Sequence, residues 1–418
     1  MSNTVLTADI IAAEALMILE NNCIMGGLVY RGYEEEFSKK INGYTVGETI
    51  SVRRPADFTV RTGATASVQD AVEGKFSLSV DTQIGVDFKF TSSDLTLQIK
   101  DLSERVIKPA MVQLVNYIDR DLLSLYKDIP NHVTLPSGGM NSYADFALAA
   151  ERMDVTGVPE DDRSVVMNPA DHWLFLGSQT ALYMQDVAKS AYRTRKVGTV
   201  GGIETYVSNN MPTHTYGSRE GTDLVNQVLI DGTITWAATK DTGTQSLTLD
   251  GLSGATVTFK AGDTLTLSDV YDVNPVSKEV LPHLKQFVVT ADATAAGSAV
   301  TLTIAPPIIL SGAHKTAHLS TGTDIDNNTV TYQGTASTGF AQNLYFHKNA
   351  FSLVMVPMVS PPGAVDVGRR SKNGYSVRVI PYYDGTNDVS NWRLDVLYGK
   401  KTIDRRLGVR ASLAADIA

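Results

Sequence analysis

Residues 94–129 read DLTLQIKDLSERVIKPAMVQLVNYIDRDLLSLYKDI, and their spacing decides the architecture. Leu95, Ile99, Leu102, Val106, Ala110, Leu114, Ile118, Leu122, Leu125 and Ile129 follow one another at steps of three or four. That is one continuous helical stripe. A helix of this length reaches about 50 Å, far beyond an ordinary globular helix. Pro109 lies inside it, so a kink or a restart is expected there. Pro130 and the turn Pro136-Ser137-Gly138-Gly139 end the segment.

The chain on either side changes character. Residues 8–22 read as a short, mostly apolar helix that Thr7 or Asp9 could cap, closed by Met25-Gly26-Gly27. Residues 41–91 are β-rich. Thr49, Ser51 and Arg53 interleave with Ile50 and Val52, and Phe76, Leu78 and Val80 alternate with Ser77, Ser79 and Asp81. Residues 59–74 between them are small and polar with few anchors, which describes a long two-stranded loop projecting from a body. Residues 142–217 mix helix (143–153 and 169–192) with strand (163–167 and 203–207). Residues 219–338 lose helical periodicity and are rich in Thr, with turn signals at Asp231-Gly232, Asp250-Gly251, Gly262-Asp263 and Gly297-Ser298. Twelve acids against six bases leave that segment at −6. Its repeated short strands imply an inserted all-β sandwich or barrel. Mixed character returns after Phe340 and closes in a β-ribbon, 375–383 with 392–398, turned at Asp384-Gly385.

Composition excludes several classes. The 418 residues carry 36 Lys and Arg against 45 Asp and Glu, a net charge of −9, and 43% are hydrophobic. This is a globular chain, long enough for two or three units. Its acidity argues against a dedicated duplex binder. No run of about 18 apolar residues occurs, so no membrane-spanning helix is expected. Residues 1–20 have acids and no Lys or Arg, which does not fit a secretory signal. Cys23 is alone, which rules out a disulfide framework and suits a reducing cytoplasm.

Chemistry-bearing motifs are weak. His132, His172, His214, His283, His314, His318 and His347 are scattered; His314 and His318 are four apart, but in a Gly- and Thr-rich β context. Gly198-Thr199-Val200-Gly201-Gly202 lacks the Lys-Ser/Thr of a phosphate loop and reads as a tight turn. Asp324-Ile325-Asp326-Asn327-Asn328 lacks the Gly and distal Glu of a Ca²⁺ hand and reads as a solvated turn. Glu34-Glu35-Glu36 and Glu160-Asp161-Asp162 lie in charged, exposed-looking runs. No Gly-x-Ser-x-Gly and no Cys–His pairing is present. Arg53-Arg54, Arg193 to Lys196, Arg369-Arg370, Lys400-Lys401 and Arg405-Arg406 lack aromatic interleaving for single-strand binding. No catalytic, cofactor or metal residue is therefore assigned, and no enzyme is expected.

The order of these parts resembles the major capsid (coat) protein of tailed double-stranded DNA phages, with the Hong Kong 97-type fold. It is most similar to the short-tailed-phage subgroup that carries an inserted β-barrel. The likeness is carried by Asp101-Leu102-Ser103-Glu104-Arg105 with Lys108-Pro109-Ala110-Met111, and by Gly198, Ile203, Tyr206, Ser208-Asn209 and Pro212. Phe259-Lys260-Ala261-Gly262-Asp263, Val273-Asn274-Pro275-Val276 and Ile304-Ala305-Pro306-Pro307-Ile308 add to it. So do residues 375–378 and Trp392-Arg393-Leu394-Asp395-Val396-Leu397-Tyr398-Gly399. The resemblance implies an α+β fold with an N-arm (1–40), an E-loop (41–91), a P-domain spine helix (92–140), a first A-domain part (141–218), an inserted all-β barrel (219–338), and an A-domain return with the P-domain ribbon (339–418). It implies a non-catalytic shell of hexamers and pentamers closing into an icosahedral head in the virion, assembled in the bacterial host cytoplasm. The partners implied are further copies of the chain, a scaffolding protein, a portal protein and packaged double-stranded DNA held without sequence-specific contacts. A decoration protein is an optional partner; no membrane is involved. The numbering from Met1 suits an uncleaved, separate-scaffold branch. One rival is a nanocompartment shell of the same fold, against which the large insert speaks. Another is a carbohydrate-binding module or adhesin, for which Trp236 is the only Trp of the insert. A hydrolase is a further alternative.

Overall fold

The computed structural model describes residues 8–418 apart from 39, 42–43, 46–47, 55, 67, 69–73, 92–102, 137, 180–196, 220–222, 228–242, 253–256, 296, 323, 363, 365–366, 414–415 and 418. The chain divides into two units. One is Met1–Ser51, Ser77–Leu123 and Phe351–Lys401; the other is Val52–Phe76, Ser124–Ala350 and Thr402–Ala418.

In the first unit the helix Ala8–Asn22 forms where the apolar spacing predicts it, burying Ile11, Ala12, Ala15, Leu16, Ile18 and Leu19. It packs on the helix Lys108–Leu123 and on the strands Gly368–Lys372 and Tyr375–Asp384. The long helix is not uniform. A π-helical turn, Ser103–Ile107, precedes the α-helical Lys108–Leu123, and a 3-10 turn, Ser124–Asp128, follows it. Pro109 is the second residue of the α-helical part and follows directly on the π turn, so the winding changes at the proline without the helix stopping. The wider π turn advances the buried face by one residue. Ile107 is buried and Val106 only half-buried, whereas Ala110, Leu114, Ile118 and Leu122 keep the stripe that the spacing predicts. The 3-10 turn shifts it again, so Tyr126 is buried in place of Leu125. Residues 94–102 of the stripe lie outside the described residues.

The ribbon forms as expected. Tyr375–Asp384 pairs with Val389–Thr402 from Asp384 opposite Val389 to Arg378 opposite Asp395. It is the middle of a five-stranded sheet ordered Phe351–Met355, Val389–Thr402, Tyr375–Asp384, Gly368–Lys372, with Thr82–Thr91 also paired to Val389–Thr402. That last pairing runs from Thr82 opposite Tyr398 to Thr91 opposite Val389.

The second unit holds a six-stranded mixed sheet. Its order is His132–Thr134, Gly408–Ser412, Asn343–His347, Arg163–Met167, Ile203–Val207, Thr199–Val200. The helix Tyr143–Val155 starts at Ser142, whose hydroxyl accepts from the Asp145 N–H at 3.2 Å. It joins Pro169–Gln179 to close one core: Phe146, Ala149, Met153 and Phe175 pack with Val165, Met167, Tyr345, Val409 and Ala411. Gly201 and Gly202, both at positive φ, turn Thr199–Val200 back onto Ile203–Val207.

A further set of strands in this unit has a core of its own, including Leu247, Leu249, Phe259, Leu265, Phe287, Leu302 and Ile304. Their sheet runs Leu224–Val225, Gln245–Asp250, Val300–Ala305, Val280–Val289, Thr264–Val273, Val330–Gln333, Asp416–Ile417. The first strand returns to the neighbourhood of Val330–Gln333 through a bridge between Leu224 and Thr329 and a bond from the Val225 N–H to the Asn328 carbonyl at 3.0 Å. Where a barrel or sandwich is expected, the strands form a nearly closed sheet.

Candidate assembly surfaces and a buried polar junction

The loop expected to project starts as a ribbon and then loses its pairing. Thr49–Arg53 pairs with Lys75–Ser79, and the Arg54 N–H donates to the Gly74 carbonyl at 2.7 Å. Phe76, Leu78 and Val80 are buried and Thr49, Ser51 and Arg53 exposed, as alternation requires. Among described residues 56–66 and 68 no strand continues. Phe58, Val60 and Val68 there are 57%, 96% and 93% exposed. Apolar side chains so placed on a loop without a core mark a surface meant for cover. Asp57, at the loop's base, lies 3.5 Å from His314, 3.8 Å from Arg406 and 3.9 Å from Lys278. At the far end of the closing ribbon Tyr382 and Tyr383 are also exposed, the latter donating to Asp388 at 2.8 Å.

A second feature is buried. The turn residue Asp263, 0% exposed, accepts from the Lys260 N–H at 3.0 Å, the Gly217 N–H at 3.2 Å and His214 Nε2 at 2.9 Å. Because a carboxylate only accepts, Nε2 carries the proton and His214 Nδ1 accepts from the Tyr126 hydroxyl at 2.8 Å. The Arg219 guanidinium lies 4.8 Å from the ring centres of both Tyr216 and Tyr332, with Nη1 3.8 Å from Asp263. Its Nη2 donates to the Gly334 carbonyl at 2.9 Å and to the Gln333 carbonyl. Arg410, fully buried, donates to the Gly262 carbonyl at 2.9 Å. His132 Nε2 is 2.7 Å from the Ser412 hydroxyl.

Burial governs the protonation here. It holds His214 below the ordinary imidazole range, against the hydrogen bond and charge of Asp263, and it holds His132 well below that range. It pushes the Tyr126 hydroxyl up to about 12. Tyr126, His214 and Asp263 have the order of a proton relay, yet all three are buried, at 2%, 3% and 0% exposure. The arrangement locks segments together and offers no reacting atom to a substrate.

A family model described as "P22 coat protein - gene protein 5" matches residues 2–410. The chain belongs to the P22 coat protein family. It is thus a bacteriophage major capsid protein, a structural component of the virion, and its family is not a class of enzymes. No curated protein matches the sequence. Solved structures of similar chain path include "Mycobacterium phage Che8" (14% identity, 93% of this chain and 90% of that chain, TM-score 0.49). Others are "Capsid of Ralstonia phage GP4" (10%, 93% and 87%, 0.43) and "Crystal structure of virus-like particle from Pyrococcus furiosus" (9%, 96% and 97%, 0.38). The assignment to the P22 coat protein family rests on the family match.

The motifs weighed from sequence fall in ordinary places for a coat protein. His314 faces Asp57, and His318 lies in the strand Ala317–Leu319 opposite Tyr271. Among the described residues no group of three His, Cys, Asp or Glu is set to hold a metal. Asp324 to Asn328 form a turn in which Asp324 accepts from the Asp326 N–H at 3.0 Å and Asn327 has positive φ. Glu34 departs from the exposed run expected: it is half-buried, 2.7 Å from Arg31, and burial pushes its carboxyl up. Glu160, Asp161 and Asp162 are exposed. Arg370 pairs with Asp9 at 3.1 Å, Lys400 with Asp121, and Arg406 with Asp404 at 2.8 Å. Cys23 is buried and donates to Asp119 at 3.2 Å. Thr7, Asp101-Leu102, Arg193 to Lys196 and Trp236 lie outside the described residues. No helix among those described is long and apolar enough to cross a membrane. The buried junction escapes sequence reading because its partners are remote: Asp263 is 49 residues from His214, and Ser412 is 280 from His132.

Proposed function

We propose that the chain builds an icosahedral phage head from hexamers and pentamers of itself, enclosing double-stranded DNA, with a scaffolding protein guiding assembly and a portal protein at one vertex. In this reading residues 1–40 are the N-arm, 41–91 the E-loop, 92–140 the spine region, 141–218 and 339–418 the A-domain with the P-domain ribbon, and 219–338 an inserted barrel. The observation that carries it is the exposure of Phe58, Val60 and Val68 on a loop without a core, in a chain of the coat protein family. Closed assembly needs the same patches to meet repeatedly, and such a loop gains cover only from a neighbouring copy. An acidic chain suits a container that must release its polymer, because dense cationic contacts would grip phosphate strongly. Deleting residues 59–74 tests the reading. The subunit is expected to fold with unchanged far-ultraviolet dichroism and to fail to form stable particles; robust particles from the deletion would refute it.

A further inference from the structure

The six-stranded sheet has one edge at His132–Thr134, which pairs in parallel with Gly408–Ser412. The Arg410 N–H donates to the Asn131 carbonyl at 2.8 Å, and the Leu135 N–H to the Ser412 carbonyl at 2.7 Å. Backbone groups alternate sides along a strand, so residues 131, 133 and 135 serve this neighbour. His132 and Thr134 turn theirs outward. An outward row of N–H and C=O groups is a template for another chain's strand.

At His132 the edge is met by a side chain. The His132 N–H donates to Gln286 Oε1 at 2.7 Å, and Gln286 Nε2 donates back to the His132 carbonyl at 2.8 Å. One amide thus satisfies both backbone groups of one edge residue, as a paired strand would. Gln286 belongs to Val280–Val289, a strand of the nearly closed sheet. Its neighbours Phe287 and Val289 enter that sheet's own core, whereas Gln286 and Val288 do not, although they are only 7% and 0% exposed. They are buried on the outer face of the insert, which is explained if that face serves as a cover. The His132 ring is fixed to the sheet by Ser412, so the backbone that Gln286 reads is held in place.

We infer that the inserted segment guards the His132 edge of the six-stranded sheet, with the Gln286 amide standing in for a strand on His132 and so denying this position to a second copy of the chain. The device is independent of how subunits meet in a shell: it concerns a contact that must not form while copies are concentrated during assembly.

The test uses the full chain. In Gln286→Ala, hydrogen exchange of peptides covering residues 130–135 is expected to accelerate roughly tenfold, the loss of one well-made backbone pairing. Peptides of Val300–Ala305 stay as protected as in the parent. Refolding at raised concentration is expected to yield more high-mass aggregate. Adding Thr134→Lys, which sets a charge on the edge, is expected to suppress that aggregate without restoring protection at residue 132. Unchanged exchange at 130–135 would overturn the inference, and so would aggregation indifferent to Thr134→Lys. If Gln286→Ala does not fold, the same readouts apply to Gln286→Glu. That variant keeps an oxygen for the His132 N–H and loses only the return donor. Lost protection supports the guard, and parental protection overturns it.

Discussion

Replacing Asp263 by Ala is the sharpest single perturbation of the buried junction. It removes the acceptor of two backbone N–H groups and of His214, and it strips Arg219 of the carboxylate 3.8 Å from its Nη1. Arg219 is only 5% exposed, so water cannot replace that carboxylate. Breaking a buried pair from one side costs about 3–5 kcal/mol, mostly the penalty of the stranded partner. The Arg219 site partly offsets this, because the guanidinium keeps two carbonyls and two aromatic faces. We therefore expect about 3 kcal/mol, the lower end of that range. Urea unfolding of the unassembled subunit measures it. A cycle with Arg219→Met separates the pair from the backbone bonds: the double variant should be less destabilised than the sum of the singles, by about 1–3 kcal/mol. A loss below about 1 kcal/mol for Asp263→Ala, or strict additivity, would refute the account of this junction.

Further outcomes follow from the same structure. His132 and His214 are kept neutral in the fold while the unfolded chain protonates near its ordinary value. Subunit stability should therefore fall as pH drops below about 6.5 and be insensitive to His titration above about 8; a flat urea midpoint between pH 8 and 5 would contradict this. Asp272 is pushed upward by burial but carried down to about 2 by the His283 hydrogen bond and the Lys285 charge. Its contribution of roughly 2 kcal/mol is present above pH 4 and lost between pH 4 and 2, and Lys285→Met should move that loss to higher pH in acid titration. Leu302→Ala, in the core of the nearly closed sheet, should cost about 3 kcal/mol in urea unfolding. Gly217→Ala should destabilise the subunit, because a Cβ there meets the Thr258 carbonyl; an unchanged midpoint would show that the turn has room.

Legibility in the sequence followed the range of the interactions. The helix Ala8–Asn22, the strands Arg163–Met167 and Ile203–Val207, and the ribbon from Tyr375 rest on local periodicity and turn residues, and they form as read. A uniform 3.6-residue period puts Val106 on the buried stripe; the π turn before Pro109 puts Ile107 there instead. Pairing of Thr82–Thr91 with Val389–Thr402 joins segments about three hundred residues apart, and nothing in Thr82 to Thr91 names that partner. His132 and His214 stand far from any partner in the sequence, for the same reason. Their roles depend on Gln286, Ser412 and Asp263, which only folding brings near.

The most direct measurement of the central claim is sedimentation of the purified chain, expressed with and without a scaffolding partner, followed by negative-stain imaging of the fastest species. Uniform closed particles in the presence of the scaffold are the expected result. A 45.1 kDa species under both conditions, with no closed particles in any fraction, would contradict it.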